Sequence, residues 1–176
     1  MIEYIKAKLA ASVVNKTLKS KSVPNRSFKN ILRDCSSFFV IMPETEQDFQ
    51  KGKRVISFLE EHHKIISILT LDFRRNEFLQ SHFRDIVEYG LVDYSKLNLP
   101  SSRLSEILKS KVFDAVIDLN REENIFCSFA ANLVQSDLII GFTKNNSDKF
   151  YTIQINDNED NPEISYNNFI NCLQMF

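Results

Sequence analysis

Residues 113–119, with the sequence Phe-Asp-Ala-Val-Ile-Asp-Leu, decide how the chain is expected to fold. A short run of apolar and β-branched residues bounded by polar turns is typical of a strand that is buried on both faces. Apolar helical patterns precede and follow this run. Asp118 stands near its carboxyl end, the position at which open α/β sheets carry their ligand groups.

The same alternation of strand and helix patterns extends in both directions along the chain. Strands are predicted at 37–42, 64–70, 86–91, 113–119, 137–142 and 150–155. Helices are predicted between them, including one capped by Ser101-Ser102, and residues 77–84 are predicted as a short helix after a loop at 72–75. The pattern predicts an α/β fold: a Rossmann-like, doubly wound, mainly parallel five- or six-stranded sheet with helices on both faces.

Two regions differ in charge. Residues 1–34 carry eight Lys or Arg and two acidic residues, a net charge of +6, so the remainder carries −7 of the total of −1. We expect 1–34 to be a basic helical amino-terminal extension and 35–176 to be a single α/β domain. The extension either contacts a protein or RNA partner or presents a solvated helix face. Its candidate partner-binding residues are Lys6, Lys8, Lys16, Lys19, Lys21 and Arg26.

The composition excludes several classes of function. No apolar run approaches 18 residues and no secretory segment is present, so a transmembrane segment is not expected. Three scattered cysteines without a C-x-x-C motif predict reduced thiols in a cytoplasmic protein and no metal site. The loop at 43–48 has three carboxylates and no glycine, which is unsuited to a nucleotide phosphate, and no cofactor is expected.

Candidate ligand-binding residues follow the predicted strands. They are Glu44, Asp72, Arg74, Arg75, Asp118 and Arg121. Such groups suit a sugar, phosphate or carboxylate, although loops at this edge are also polar simply because they meet water. Asp118 is either a general base or the cap of the following helix. No catalytic residue is predicted, since there is no nucleophile elbow and Cys127 lies on an apolar helix face.

Residues 113–119, the apolar helix that follows and residues 136–142, Ser-Asp-Leu-Ile-Ile-Gly-Phe, resemble a recurring segment of heptosyltransferases. These are GT-B glycosyltransferases, and the segment belongs to their amino-terminal, acceptor-side Rossmann-like half. The resemblance spans about residues 37–142, and the chain is also similar to short bacterial proteins in which this half stands alone. It departs from the family at Pro43-Glu44-Thr45-Glu46, where heptosyltransferases have a Gly-Asp loop. No counterpart of the donor-binding half is found.

These observations predict a non-catalytic binding or interaction module built on a lone Rossmann-like half-domain. One alternative is a small-molecule (sugar or phosphate) binding protein or enzyme with its site at the carboxyl-terminal edge of the sheet. A second alternative is an RNA- or ribosome-associated protein that uses the basic amino-terminal arm.

Overall fold

The structure is a computed structural model that describes residues 12–14, 30–78 and 83–175. Six strands form one sheet in the order β3-β2-β1-β4-β5-β6, and every pair of neighbours is parallel. The strands are β1 (Ser37–Ile41), β2 (Ile65–Leu71), β3 (Asp85–Tyr89), β4 (Ala115–Asp118), β5 (Leu138–Phe142) and β6 (Ile153–Ile155). The predicted Rossmann-like sheet is confirmed, with six strands.

Five helices accompany the sheet in the described part of the chain. They are α1 (Ile31–Asp34), α2 (Glu46–Glu61), α3 (Ser102–Lys109), α4 (Ile125–Leu133) and α5 (Pro162–Met175). Side chains of α2 and α5 share one apolar core with one face of the sheet. Those of α3 and α4 share a second core with the other face. Because alternate residues of each strand enter opposite cores, the strands read as continuous apolar runs.

Several predicted boundaries were wrong in detail. Residues 72–78 form a 3-10 helix where a loop at 72–75 and a helix at 77–84 were expected, and residues 79–82 lie outside the described part of the chain. The third strand ends at Tyr89 instead of residue 91. The last strand begins at Ile153 because residues 147–149 form a 3-10 turn that delays the return to the sheet.

Only residues 12–14 of the predicted amino-terminal helix are described, and they are helical. Val14 is 2% exposed and packs in the core on the α3 and α4 side. Lys6, Lys8, Lys16, Lys19, Lys21 and Arg26 lie outside the described residues, so the partner-binding prediction stays a prediction. None of the helices in the described ranges is long and apolar enough to cross a membrane.

The strand order places β1 beside β4, and the chain turns in opposite directions from that pair. The crevice outside their carboxyl ends is the topological switch point, where open α/β sheets bind ligands. The loop after β1 and the loop after β4 therefore flank the position at which a ligand is expected. Thr45 caps α2 by accepting from the amide of Asp48, and Asn124 caps α4 by accepting from the amide of Cys127.

Candidate functional site at the carboxyl edge of the sheet

Asp118 ends β4 and is completely buried, with 0% of its surface exposed. One carboxylate oxygen accepts from the backbone amide of Asn120 at 3.0 Å and from its side-chain amide at 2.7 Å. The other accepts from the hydroxyl of Tyr151 at 2.6 Å. Asn124, not Asp118, caps the following helix, so the capping role weighed from the sequence was wrong.

Two further groups complete the surroundings of Asp118. The ammonium of Lys144 lies 3.4 Å from the same oxygen that Tyr151 contacts, and the Lys144 side chain is 5% exposed. The hydroxyl of Ser128 lies 2.7 Å from that of Tyr151. Burial and the nearby charge of Asp118 raise the pKa of Tyr151, which therefore stays protonated and donates to the carboxylate. The result is a buried polar network, defined here as Asp118, Ser128, Lys144 and Tyr151.

Glu44 follows β1 and meets two tyrosines. One of its carboxylate oxygens accepts from the hydroxyl of Tyr89 at 3.0 Å and from that of Tyr94 at 2.9 Å. Both rings stack on Phe126 of α4, at centroid separations of 4.8 and 4.3 Å. Burial, followed by the charges of Asp118 and Glu44, raises the pKa of the Cys127 thiol, so this cysteine is not an activated nucleophile.

Arg74 is also close to the first strand's loop. It is 3% exposed and donates to the backbone carbonyl of Glu44 at 2.8 Å, while its guanidinium also lies 3.3 Å from the carboxylate of Glu46. Its guanidinium carbon lies 4.1 Å from the centre of the Phe49 ring. Arg75 points elsewhere and pairs with Glu88 of β3. Asp72 accepts from the amide of Phe73 and lines a groove along β3.

Arg121 follows β4 on the opposite side of the switch point from Glu44. Its guanidinium donates to Asp157 at 3.0 Å, to Asp48 at 3.3 Å and to the backbone carbonyl of Glu159. Burial lowers the pKa of Arg121, but the bonds to Asp157 and Asp48 outweigh it and the pKa is raised. Arg121 thus fastens the loop before α5 to the first turn of α2.

A cavity of about 520 Å³ opens beside Arg121. Its walls come from the loops that follow β1, β4, β5 and β6. We call it the acceptor-rich cavity because most of its lining side chains present oxygen atoms; it is lined by Thr45, Gln47, Asp48, Arg121, Glu122, Thr143, Asp157, Asn158, Glu159, Asp160 and Pro162. The one cation in this lining, Arg121, is already bonded to three acceptors.

The predicted ligand-binding residues therefore divide among four places. Glu44 and Arg74 are joined through a backbone bond, Arg75 and Asp72 lie beside β3, and Asp118 is enclosed. Only Arg121 lines the acceptor-rich cavity. The sequence reading missed Tyr89, Tyr94, Ser128 and Tyr151, because hydroxyls that meet a strand end through tertiary contacts leave no local pattern. Within the described ranges, no group of His, Cys, Asp and Glu suits a metal ion.

Comparisons with known proteins agree with the architecture. No protein-family model and no curated protein matches the sequence. Among solved structures, the chain is similar to the crystal structure of the glycosyl transferase family 9 from Veillonella parvula DSM 2008, with a TM-score of 0.63 and 14% identity. The match covers 80% of this chain and 42% of that one. At this identity the likeness establishes the fold.

The fold is that of a Rossmann-like α/β domain with a six-stranded parallel sheet. More particularly, its structural neighbour is a glycosyltransferase of the heptosyltransferase-type GT-B class, which confirms the resemblance at the level of fold. The chain spans less than half of that neighbour's length, 42%.

Proposed function

We propose that this domain is a non-catalytic binding module that holds a hydroxyl-rich, sugar-like ligand in the acceptor-rich cavity. The observation that carries the proposal is that the ionisable groups Asp118 and Arg121 at the strand ends are already bonded to other groups of the protein. Asp118 has donors on both oxygens and no exposed surface, and Arg121 is held by three acceptors. A general base must reach the proton that it removes, and Asp118 has no such access.

The chemistry of the cavity supports the choice of ligand. Asp48, Glu122, Asp157, Glu159 and Asp160 all line it, so a phosphate would meet carboxylates and no uncommitted cation within this lining. Hydroxyl groups, by contrast, donate to carboxylate and amide oxygens. The structural neighbour is described as a glycosyl transferase, which favours a sugar among hydroxyl-rich ligands. The phosphate alternative raised from the sequence is accordingly disfavoured.

The test is a titration followed by two-dimensional NMR with isotope-labelled protein. Neutral hexoses are expected to shift the backbone amides of Glu122 and Asn158, and the corresponding hexose 6-phosphates are not. Glu122→Ala removes one lining acceptor and should weaken binding several-fold, about 0.5–1.5 kcal/mol for one hydrogen bond. Glu61→Ala is the matched control, since Glu61 is exposed at the opposite end of α2.

Two outcomes would contradict the proposal. Tighter binding of hexose phosphates than of neutral hexoses would overturn the ligand class. The appearance of product signals from any hexose derivative during the titration would overturn the absence of catalysis.

A second candidate function is contact with an anionic macromolecule through residues 1–34. The net charge of +6 in this segment, against −7 in the rest of the chain, favours it. Anisotropy of a labelled single-stranded RNA should show binding that weakens steeply between 50 and 200 mM salt, roughly in proportion to the number of phosphates contacted. Replacement of Lys6, Lys8, Lys16 and Lys19 by Gln should lower both the affinity and its salt dependence.

The prediction of a cytoplasmic protein also stays a proposal. It is supported by the three scattered cysteines, which are typical of reduced thiols.

A further inference from the structure

A narrow slot lies on the other face of the sheet from α2 and α5. It has a volume of about 110 Å³ and runs between the first turns of α4 and the loop that joins β5 to β6. Eleven residues line it, and they include Val14, Ile125, Ser128, Lys144, Phe150 and Tyr151. The slot is separate from the acceptor-rich cavity, so the two sites can be tested independently.

Apolar atoms supply most of the wall of the slot, and the polar residues Asn145, Asn146 and Ser147 line the rest. Val14 is buried in the same core as Tyr151, and Ile125 and Phe150 pack against that core from its margin. Val14 thus supplies part of one wall. An apolar space of this size resembles the roughly 150 Å³ engineered cavity that binds benzene. The slot therefore suits a small ring or a branched aliphatic group.

One end of the slot is polar and carries Lys144. Its side chain is 5% exposed, and its ammonium has three N–H donors. Within the described residues, the only acceptor bonded to this ammonium is Asp118, at 3.4 Å. A buried donor without an acceptor is costly, so the remaining N–H groups favour a ligand atom that accepts a hydrogen bond.

The charges around the slot determine the charge of that ligand. Asp118 already balances Lys144, and Lys149 and Glu123, which also line the slot, carry opposite charges. An anion that is drawn to Lys144 would be repelled by Asp118, and a cation that is drawn to Asp118 would be repelled by Lys144. A net charge would also lose its hydration without gaining a partner.

We propose that this slot is a binding site for a small, neutral, largely apolar molecule with one accepting oxygen, which bonds to the Lys144 ammonium. The apolar body occupies the space between Val14, Ile125 and Phe150. Val14 is the residue of the described amino-terminal stretch, 12–14, that contributes to the site.

The experiment compares three probes with the same five-membered ring: cyclopentanone, cyclopentanecarboxylate and cyclopentylamine. Cyclopentanone should shift the backbone amides of Ser128, Ser147 and Tyr151 and saturate. The two charged probes should bind at least about tenfold more weakly, because burial of an unmatched charge is unfavourable. Amides of Asn158 and Asp160 report the acceptor-rich cavity and should not move.

Ile125→Trp fills the slot and should abolish the shifts caused by cyclopentanone. Ile164→Trp is the control, since Ile164 is 43% exposed on α5 and outside the slot. Equal binding of a charged probe, or the absence of any shift with cyclopentanone, would overturn the proposal. The comparison of probes on the unaltered chain decides the matter even where Ile125→Trp does not fold.

Discussion

At the scale of single residues, Tyr151 helps to hold the end of β4 in place. Its hydroxyl donates to Asp118 at 2.6 Å and lies 2.7 Å from the hydroxyl of Ser128. Tyr151→Phe leaves the fully buried Asp118 carboxylate with one donor fewer, which should cost about 1–3 kcal/mol in the free energy of unfolding. Urea denaturation measures this. Tyr94→Phe is the control and should cost less, because Glu44 is partly exposed to water.

Gly141 makes the position of Tyr151 possible. A Cβ at Gly141 would lie 2.8 Å from two carbon atoms of the Tyr151 ring. Gly141→Ala should therefore displace the ring, weaken its bond to Asp118 and destabilise the protein by about 1–3 kcal/mol, the usual cost of overpacking. The cost should shrink in a Tyr151→Leu background, which removes the ring. Equal costs in both backgrounds, measured by a double-mutant cycle, would show that the ring is not the obstacle.

At the scale of elements, α4 depends on its cap more than the other helices do. It has nine residues, and all of them from Phe126 to Leu133 are buried. Water therefore has little access to its first turn and cannot replace a hydrogen bond that a backbone amide loses there. Asn124→Ala removes the 3.0 Å bond to the amide of Cys127 and should cost about 1–2 kcal/mol. Thermal unfolding measures this.

The matched control for α4 is the cap of α3. Ser101 accepts from the amide of Leu104 at 3.3 Å, and α3 has buried residues on one side only. Ser101→Ala should therefore cost less than Asn124→Ala. Asn124→Asp retains a capping oxygen and should restore most of the stability. A loss in Asn124→Asp as large as that in Asn124→Ala would contradict the capping role.

The elements also show how far the sequence predicts the structure. The buried run at 113–119 and its neighbours predicted the strands and the layer order, because continuous apolar runs between helical patterns report burial directly. The surroundings of Asp118 were not predictable in this way. Its partners Ser128, Lys144 and Tyr151 come from α4 and from the loop beyond β5, 10, 26 and 33 residues further along the chain. Their meeting depends on the packing of α4 against the sheet, which no local spacing encodes.

At the scale of the whole molecule, the two proposed sites lie on opposite sides of one edge. Arg121 belongs to the α2 and α5 side through Asp48, whereas Lys144 belongs to the α4 side through Asp118. Successive residues of β4 face opposite sides of the sheet. Ile117 therefore packs in the core on the α2 and α5 side, whereas the buried Asp118 faces α4. The end of β4 is thus linked to both sites: Asp118 bonds to Lys144 of the slot, and Arg121 in the following loop lines the acceptor-rich cavity.

The buried tyrosines also determine how the whole molecule responds to alkaline pH. Burial is the main cause that raises the pKa of Tyr89, of Tyr151 and of Tyr166 in the folded protein. In the unfolded chain a tyrosine releases its proton near pH 10. The stability is therefore fully present below about pH 10 and falls above it, because the unfolded state binds fewer protons there. Above about pH 10, each of these tyrosines lowers the free energy of unfolding by up to about 1.4 kcal/mol per pH unit.

Urea unfolding at pH 8, 10 and 11 should show this decline, and phenolate absorbance should appear together with unfolding and not before it. The Cys127 thiol, whose pKa burial also raises, adds a loss of the same slope that begins at a lower pH, because an unfolded thiol releases its proton at about pH 8.5. Tyr166→Phe loses the bond to the carbonyl of Leu119 but also one titrating group. It should be less stable at pH 8 and have a shallower slope above pH 10. A stability that stays constant to pH 11 would show that these hydroxyls are accessible to water in the folded state.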